Sequence, residues 1–178
     1  MIRLHTDGYV LQTMTRDLVS EAWRRWAGDA ALMRSINSAR MEVSLPELRT
    51  YAAGFDNRTR LLVGVFDRAD MTHRGVYEID IQPFHRTATL QVLIGSGPVP
   101  RIRTEADKAL LDLLFSRGIE KVVIRIPAYE QRQAKLLERI GYVREGYLRE
   151  ERRRPERRER VDYVQYGLLK ANWADQAG

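Results

Sequence analysis

Two groups of residues in this 178-residue chain could do chemistry. One is a pair of carboxylates on a strand-like stretch, "RGVYEIDIQ" (74–82). Glu78 and Asp80 alternate there with Tyr77, Ile79 and Ile81, so they share one face with Val76. Such a carboxylate can accept a proton if its face lines a cleft, and simply meets water if the sheet is half-buried. The other is "GPVPRIRTEADKALLDLLF" (97–115), a loop feeding an amphipathic helix. A positive helix N-terminus following a strand is a ready anion site. Anion loops ordinarily use glycines to turn backbone amides inward, whereas Pro98 and Pro100 here each remove a donor. Histidine is a residue type suited to base chemistry, but His85 lies in "PFHRT", which reads as a surface turn. The absence of cysteine excludes a disulfide framework and thiol catalysis. With only three separated histidines (His5, His73, His85), no metal site is expected.

The elements that must position these groups follow from periodicity. The chain is 44% hydrophobic and 30% charged, with no long polar tract, which fits one globular domain over 1–178. No apolar run approaches the ~18–20 residues of a membrane span, and the charged N-terminus reads as neither signal nor transit peptide, so a cytoplasmic protein is expected. "YVLQTMT" (9–15) reads as a strand, followed by a helix whose Trp23 and Trp26 belong to the core, and a further short helical turn. Ser44 and Glu47 have capping-box spacing, with Pro46 in the first turn, so a helix over 44–55 is expected. Three strands (60–67, 74–82, 86–95) joined by short polar links then make an antiparallel meander. The spacing predicts a helix over 104–117, a strand over 120–127, a helix over 128–142 and two closing strands. The order is β-α-α-β-β-β-α-β-α-β-β, an α/β fold with a mixed sheet flanked by helices.

That order resembles the GNAT superfamily of acetyl-CoA-dependent N-acetyltransferases. "TATLQVLIG" is similar to the family's fourth strand, and "TEADKALLDLLFSRGIEKVVIRI" to its cofactor helix and fifth strand. "LLERIGYVREGYLRE" and "DYVQYGLLKANW" resemble the ribosomal-protein-alanine acetyltransferase branch. The resemblance implies a mainly antiparallel sheet splayed between its fourth strand (86–95) and fifth (120–127). Acetyl-CoA would lie in that notch, its pantetheine arm bonded to the main chain of Val92, Leu93 and Ile94. Its pyrophosphate would rest before helix 104–117, at Arg101, Ile102, Arg103 and Thr104. An amine acceptor would enter from the opposite side, with Glu78 as the candidate catalytic base and the N–H near Val92 or Leu93 as oxyanion donor.

The chain departs from the family pattern in two places. The small residues of the pyrophosphate loop fall on Arg101 and Arg103. In helix 128–142 the asparagine, serine and tyrosine slots fall on Glu130, Gln133 and Leu137. Three readings stay open: acetyl-CoA is held by arginine forks in place of loop amides, the fold survives as a non-catalytic binding module, or the notch takes another ligand. The net charge of +6 permits an anionic partner. Arg152, Arg153, Arg154, Arg157, Arg158 and Arg160 form a solvated loop or a rim for an acidic amine substrate. No RNA motif or aromatic–basic interleaving speaks for nucleic acid. Exposed strand edges are compatible with a homodimer.

Overall fold

The computed structural model describes residues 1–155, 157 and 159–174, so Arg158 of the arginine-rich loop lies outside the described residues. Eight strands form one sheet in the order β1-β2-β3-β4-β5-β6-β8-β7. They are β1 (Arg3–His5), β2 (Tyr9–Thr13), β3 (Arg60–Asp67), β4 (His73–Gln82), β5 (Thr87–Ile94), β6 (Lys121–Pro127), β7 (Val143–Arg153) and β8 (Arg160–Leu169). Helices α1 (Glu21–Gly28), α2 (Ala30–Ser35) and α3 (Leu45–Ala53) cover one face. Helices α4 (Val99–Ser116) and α5 (Gln131–Ile140) cover the other, and a short α6 (Lys170–Ala174) follows β8. No helix among the described residues is long and apolar enough to cross a membrane.

Alternation along the strands divides the interior into two cores. Tyr77, Ile79, Leu90 and Ile94 pack with Ile102, Ala106, Leu110 and Leu137 beneath α4 and α5. Val76, Leu93, Leu62 and Phe66 pack with Trp23, Trp26, Met33 and Leu48 beneath α1–α3. Both tryptophans are therefore core residues, as their spacing predicts. The capping box at Ser44 and Glu47 is formed. His85 sits exposed in its turn, whereas His73 is buried, with Ser20 Oγ 2.7 Å from Nδ1 and the Gly75 carbonyl 3.0 Å from Nε2. Burial pulls His73 down to about 4, so it is a neutral packing residue at neutral pH.

Three boundaries differ from the sequence reading. An extra strand, β1, pairs with β2, so the notch strands are β5 and β6. The helix expected to carry Trp23 and Trp26 is preceded by a separate 3₁₀ turn at Arg16–Leu18, and Ser20 caps α1 by accepting from the Trp23 N–H. Most consequentially, α4 begins at Val99 rather than at 104. Proline is well placed in a first turn, because the N–H it lacks has no intrahelical acceptor there. The prolines thus start the helix early, and Arg101, Ile102, Arg103 and Thr104 are helical rather than loop residues.

The strand-to-helix connection is tight. A Cβ built on Gly95 would lie 1.9 Å from the Trp26 ring, and Gly97 adopts φ +94°. Gly95→Ala should destabilise the protein by roughly 1–3 kcal/mol through overpacking, seen as a lower denaturation midpoint in urea.

Candidate functional site

The notch arises where the sheet's one parallel pair ends. Strand β5 pairs with β6 from Thr87↔Lys121 to Leu90↔Ile124 and no further. Beyond that point β5 stays on β4, through Ile94↔Gly75, while β6 stays on β8, through Pro127↔Tyr163. The outer edge of Gln91–Ile94 is therefore free of β6, and a free strand edge presents main-chain donors and acceptors.

Three cavities converge on this edge, and Val92 lines all of them. A small one of about 80 Å³ fills the fork, bounded by Leu90, Gln91, Ile124 and Ile126. A cleft of about 500 Å³ lies toward α4 and α5, bounded by Val99, Pro100, Glu130 and Arg132 among others. A cavity of about 290 Å³ opens under α1–α3, bounded by Trp23, Met33, Tyr51, Glu78 and Leu93 among others. Two clefts on opposite faces of one sheet thus meet at one strand edge.

Glu78 faces the 290 Å³ cavity, on the same side as Val76 and, across the strand pair, Gln91. The Tyr51 hydroxyl donates to Glu78 Oε1 at 2.6 Å. Burial raises the Glu78 carboxyl above the usual glutamate range, more than the Tyr51 hydrogen bond lowers it. Tyr51 itself is pushed up, by burial and then by Glu78, so it stays a protonated donor. Asp80, two residues along, is exposed and 3.7 Å from Arg60. Of the two carboxylates, only Glu78 is in the cavity wall.

On the α4 side the sequence-marked residues divide. Arg103 is buried and paired with the fully buried Asp107, Nη2 to Oδ2 at 2.8 Å, and Tyr77 donates a short hydrogen bond to the same carboxylate. Its guanidinium floors the fork and the 500 Å³ cleft, but Asp107 accepts from its Nε and Nη2. Arg101 turns the other way, to Glu105 at 2.9 Å, beside the β1–β2 turn. Ile102 is wholly in the core, and Thr104 donates to the Pro100 carbonyl. In place of the loop position read from the sequence, Arg101 and Arg103 are helical, and each pairs with a carboxylate one turn on. Because the first intrahelical bond runs from Ile102 N–H to the Pro98 carbonyl, the free first-turn donors reduce to the N–H groups of Val99 and Arg101.

Other cations line the cleft instead. Arg132, Lys135 and Arg139 recur at i, i+3 and i+7 on α5, all exposed, and all border the 500 Å³ space. Among the described residues none of the three is ion-paired, unlike Arg24, Arg101, Arg103 or Arg154. Glu130, at the head of α5, borders the same cleft and accepts from Gln133 at 3.4 Å. Leu137 is fully buried and cannot donate a proton. The helical spacing of these cations was visible in the sequence, but their common face toward a cleft was not.

The arginine-rich loop is largely engaged with the protein itself. Arg154 pairs with Glu159 at 2.6 Å and stacks over Tyr129, and Arg152 lies over the Tyr163 ring. Arg160 donates to the carbonyls of Glu150 and Glu151. Among the described loop arginines, Arg153 and Arg157 are exposed, and Arg157 reaches Glu159 only at 3.8 Å.

Splayed strands, two helices on one face and three on the other define the GNAT acetyltransferase fold, and the comparisons agree. A GNAT-family acetyltransferase structure from Chromobacterium violaceum superposes with a TM-score of 0.80 at 20% identity, covering 97% of this chain and 88% of that one. The spermidine N-acetyltransferase of Vibrio cholerae, solved with CoA and spermine, gives 0.78 at 21% identity over 95% and 99% of the two chains. RimL, a ribosomal L7/L12 protein acetyltransferase solved with CoA, gives 0.81 at 18% identity over 92% and 95%. No protein-family model and no curated protein sequence matches the chain.

Proposed function

We propose that the protein is an acetyl-CoA-dependent N-acetyltransferase acting on a primary amine. The observation that carries this reading is the meeting of two clefts at Val92: one bordered by cations that carry no ion pair among the described residues, the other by the half-buried Glu78 carboxylate. The solved neighbours with CoA support the choice of cofactor, and spermidine and L7/L12 as their named substrates support an amine acceptor.

The residues present fit the cofactor, in a modified arrangement. The free edge at Val92, Leu93 and Ile94 suits an extended amide-bearing arm, which would add to the sheet like a further strand. Arg132, Lys135 and Arg139, with the N–H groups of Val99 and Arg101, would hold the phosphates. Glu130 would lie at the far wall of the same cleft. The side chains of Arg101, Ile102 and Thr104 have no part in this reading.

When bound, the cofactor supplies a thioester-activated acetyl group. Glu78 takes a proton from the acceptor ammonium, a task its raised affinity for protons favours. Tyr51 fixes the carboxylate's orientation through Oε1. Main-chain N–H groups at Val92 or Leu93 donate to the carbonyl oxygen as negative charge develops on it. With leucine at 137, the thiolate leaves without an acid from that position.

Calorimetric titration with CoA tests the reading. Binding is expected for the wild type and should weaken roughly 10–100-fold in an R132A/K135A/R139A variant, with a steep salt dependence. Arg101→Ala should leave it unchanged. Absence of CoA binding to the wild type would overturn the cofactor assignment and favour a binding module in which the notch takes another ligand.

A further inference from the structure

Resting on the acetyltransferase reading, we infer that the acceptor is a primary amine carrying a single apolar, aromatic-sized body, rather than a polyamine or another multiply charged amine. The 290 Å³ cavity has Trp23, Met33, Met41, Val43 and Leu48 in its wall, with the Tyr51–Glu78 pair where it approaches β5. Trp23 and Tyr51 meet edge-on, ring centroids 6.2 Å apart, so the wall is aromatic as well as apolar. An apolar substrate body gains from leaving water at this wall, and an aromatic one adds favourable ring contacts.

Charge limits the number of ammonium groups. Two acidic side chains border the cavity, Glu47 and Glu78. Glu78 is needed for the reacting nitrogen. Glu47 is partly engaged by the cap of α3, its Oε2 accepting from the Ser44 N–H and hydroxyl at 2.7 Å each, and it stands at the exposed rim. A second ammonium drawn against this apolar wall would lose hydration that one half-engaged carboxylate at the rim replaces only in part. Multiply charged amines are therefore selected against by desolvation, in contrast to the spermidine acetyltransferases that share the fold.

The wall is also preformed. The segment joining α2 to α3 carries Met41 and Val43 over the cavity. Main-chain bonds from Met41 N–H to the Ala27 carbonyl at 2.7 Å and from Ser38 N–H to the Met33 carbonyl at 2.9 Å pin it. Fixed walls lower the entropic cost of seating a rigid ring.

The test compares 2-phenylethylamine, tryptamine and spermidine as acceptors with acetyl-CoA, and separately measures amine binding through intrinsic fluorescence, since Trp23 is in the wall. The arylalkylamines should bind and should exceed spermidine at least tenfold in kcat/KM. Met41→Ser, at a half-exposed position, should weaken arylalkylamine binding roughly fivefold while leaving spermidine unaffected. Spermidine acetylated as well as or better than the arylalkylamines would overturn the inference while leaving the acetyltransferase reading intact. Arylalkylamine binding that Met41→Ser weakens, without acetyl transfer to any amine, would uphold the cavity's selectivity and overturn the reading. Failure of every amine to bind would overturn the inference outright.

Discussion

Glu78→Gln is expected to lower kcat roughly 100–1,000-fold with little change in CoA affinity or stability. Glutamine keeps the shape of the side chain and can still accept from Tyr51, so the variant removes the proton acceptor and little else. The wild-type rate should rise with pH as Glu78 ionises, along a limb displaced above the ordinary glutamate range, because burial disfavours the charged form. Tyr51→Phe should move that limb still higher, since the hydroxyl's hydrogen bond favours the carboxylate. The same linkage acts on stability with a definite sign. A folded-state affinity for protons above the unfolded one means stability is lost as pH rises from the ordinary range through the raised value. A pH–rate profile of the wild type and both variants checks all of this. An unchanged kcat in Glu78→Gln would assign Glu78 a purely structural place beside Tyr51.

Asp107→Ala should be among the most damaging single changes to the fold, costing roughly 3–5 kcal/mol and lowering the melting temperature by roughly 6–20 °C. Asp107 is fully buried and serves Arg103 and Tyr77 at once. Its removal strands a guanidinium and a phenol with no carboxylate to meet them. Removing both charges together has a different expected outcome. An Arg103→Met/Asp107→Leu double variant should recover most of the loss, because apolar residues avoid the desolvation that a buried pair must offset. If the double variant retains CoA binding, Arg103 has only a structural place at the floor of the cleft. Urea denaturation and calorimetry on the three proteins make the comparison. Equal stability of Asp107→Ala and wild type would contradict the assignment of the pair as buried.

Much of the architecture was legible because it rests on local rules. Strand alternation identified the meander, and the face shared by Val76, Glu78 and Asp80 follows from the two-residue repeat alone. The cap at Ser44 and the stop at Gly141, which adopts φ +109°, depend on neighbours a few residues away. The start of α4 differs from the sequence reading because proline has weak helical propensity, and only the position of Pro98 and Pro100 after β5 makes them the start of a helix.

What the sequence by itself determined was most of the element order, the fold that order resembles and the faces of the strands. Tertiary structure alone decided which charges are available for chemistry. Arg101 and Arg103 looked free in the sequence, yet each lies one helical turn from a carboxylate, and packing decides whether such a pair is shut in the core or left at the surface. Arg132, Lys135 and Arg139 drew no reading from the sequence, yet they border a cleft beside the edge left where β5 parts from β6 after Leu90. Glu78 and Asp80 are equivalent by alternation, but only Glu78 borders the cavity under α1–α3, where Tyr51 reaches it and burial is partial. The availability and the proton affinity of a charged group depend on what surrounds it in three dimensions, and that environment is assembled from residues far apart in the chain.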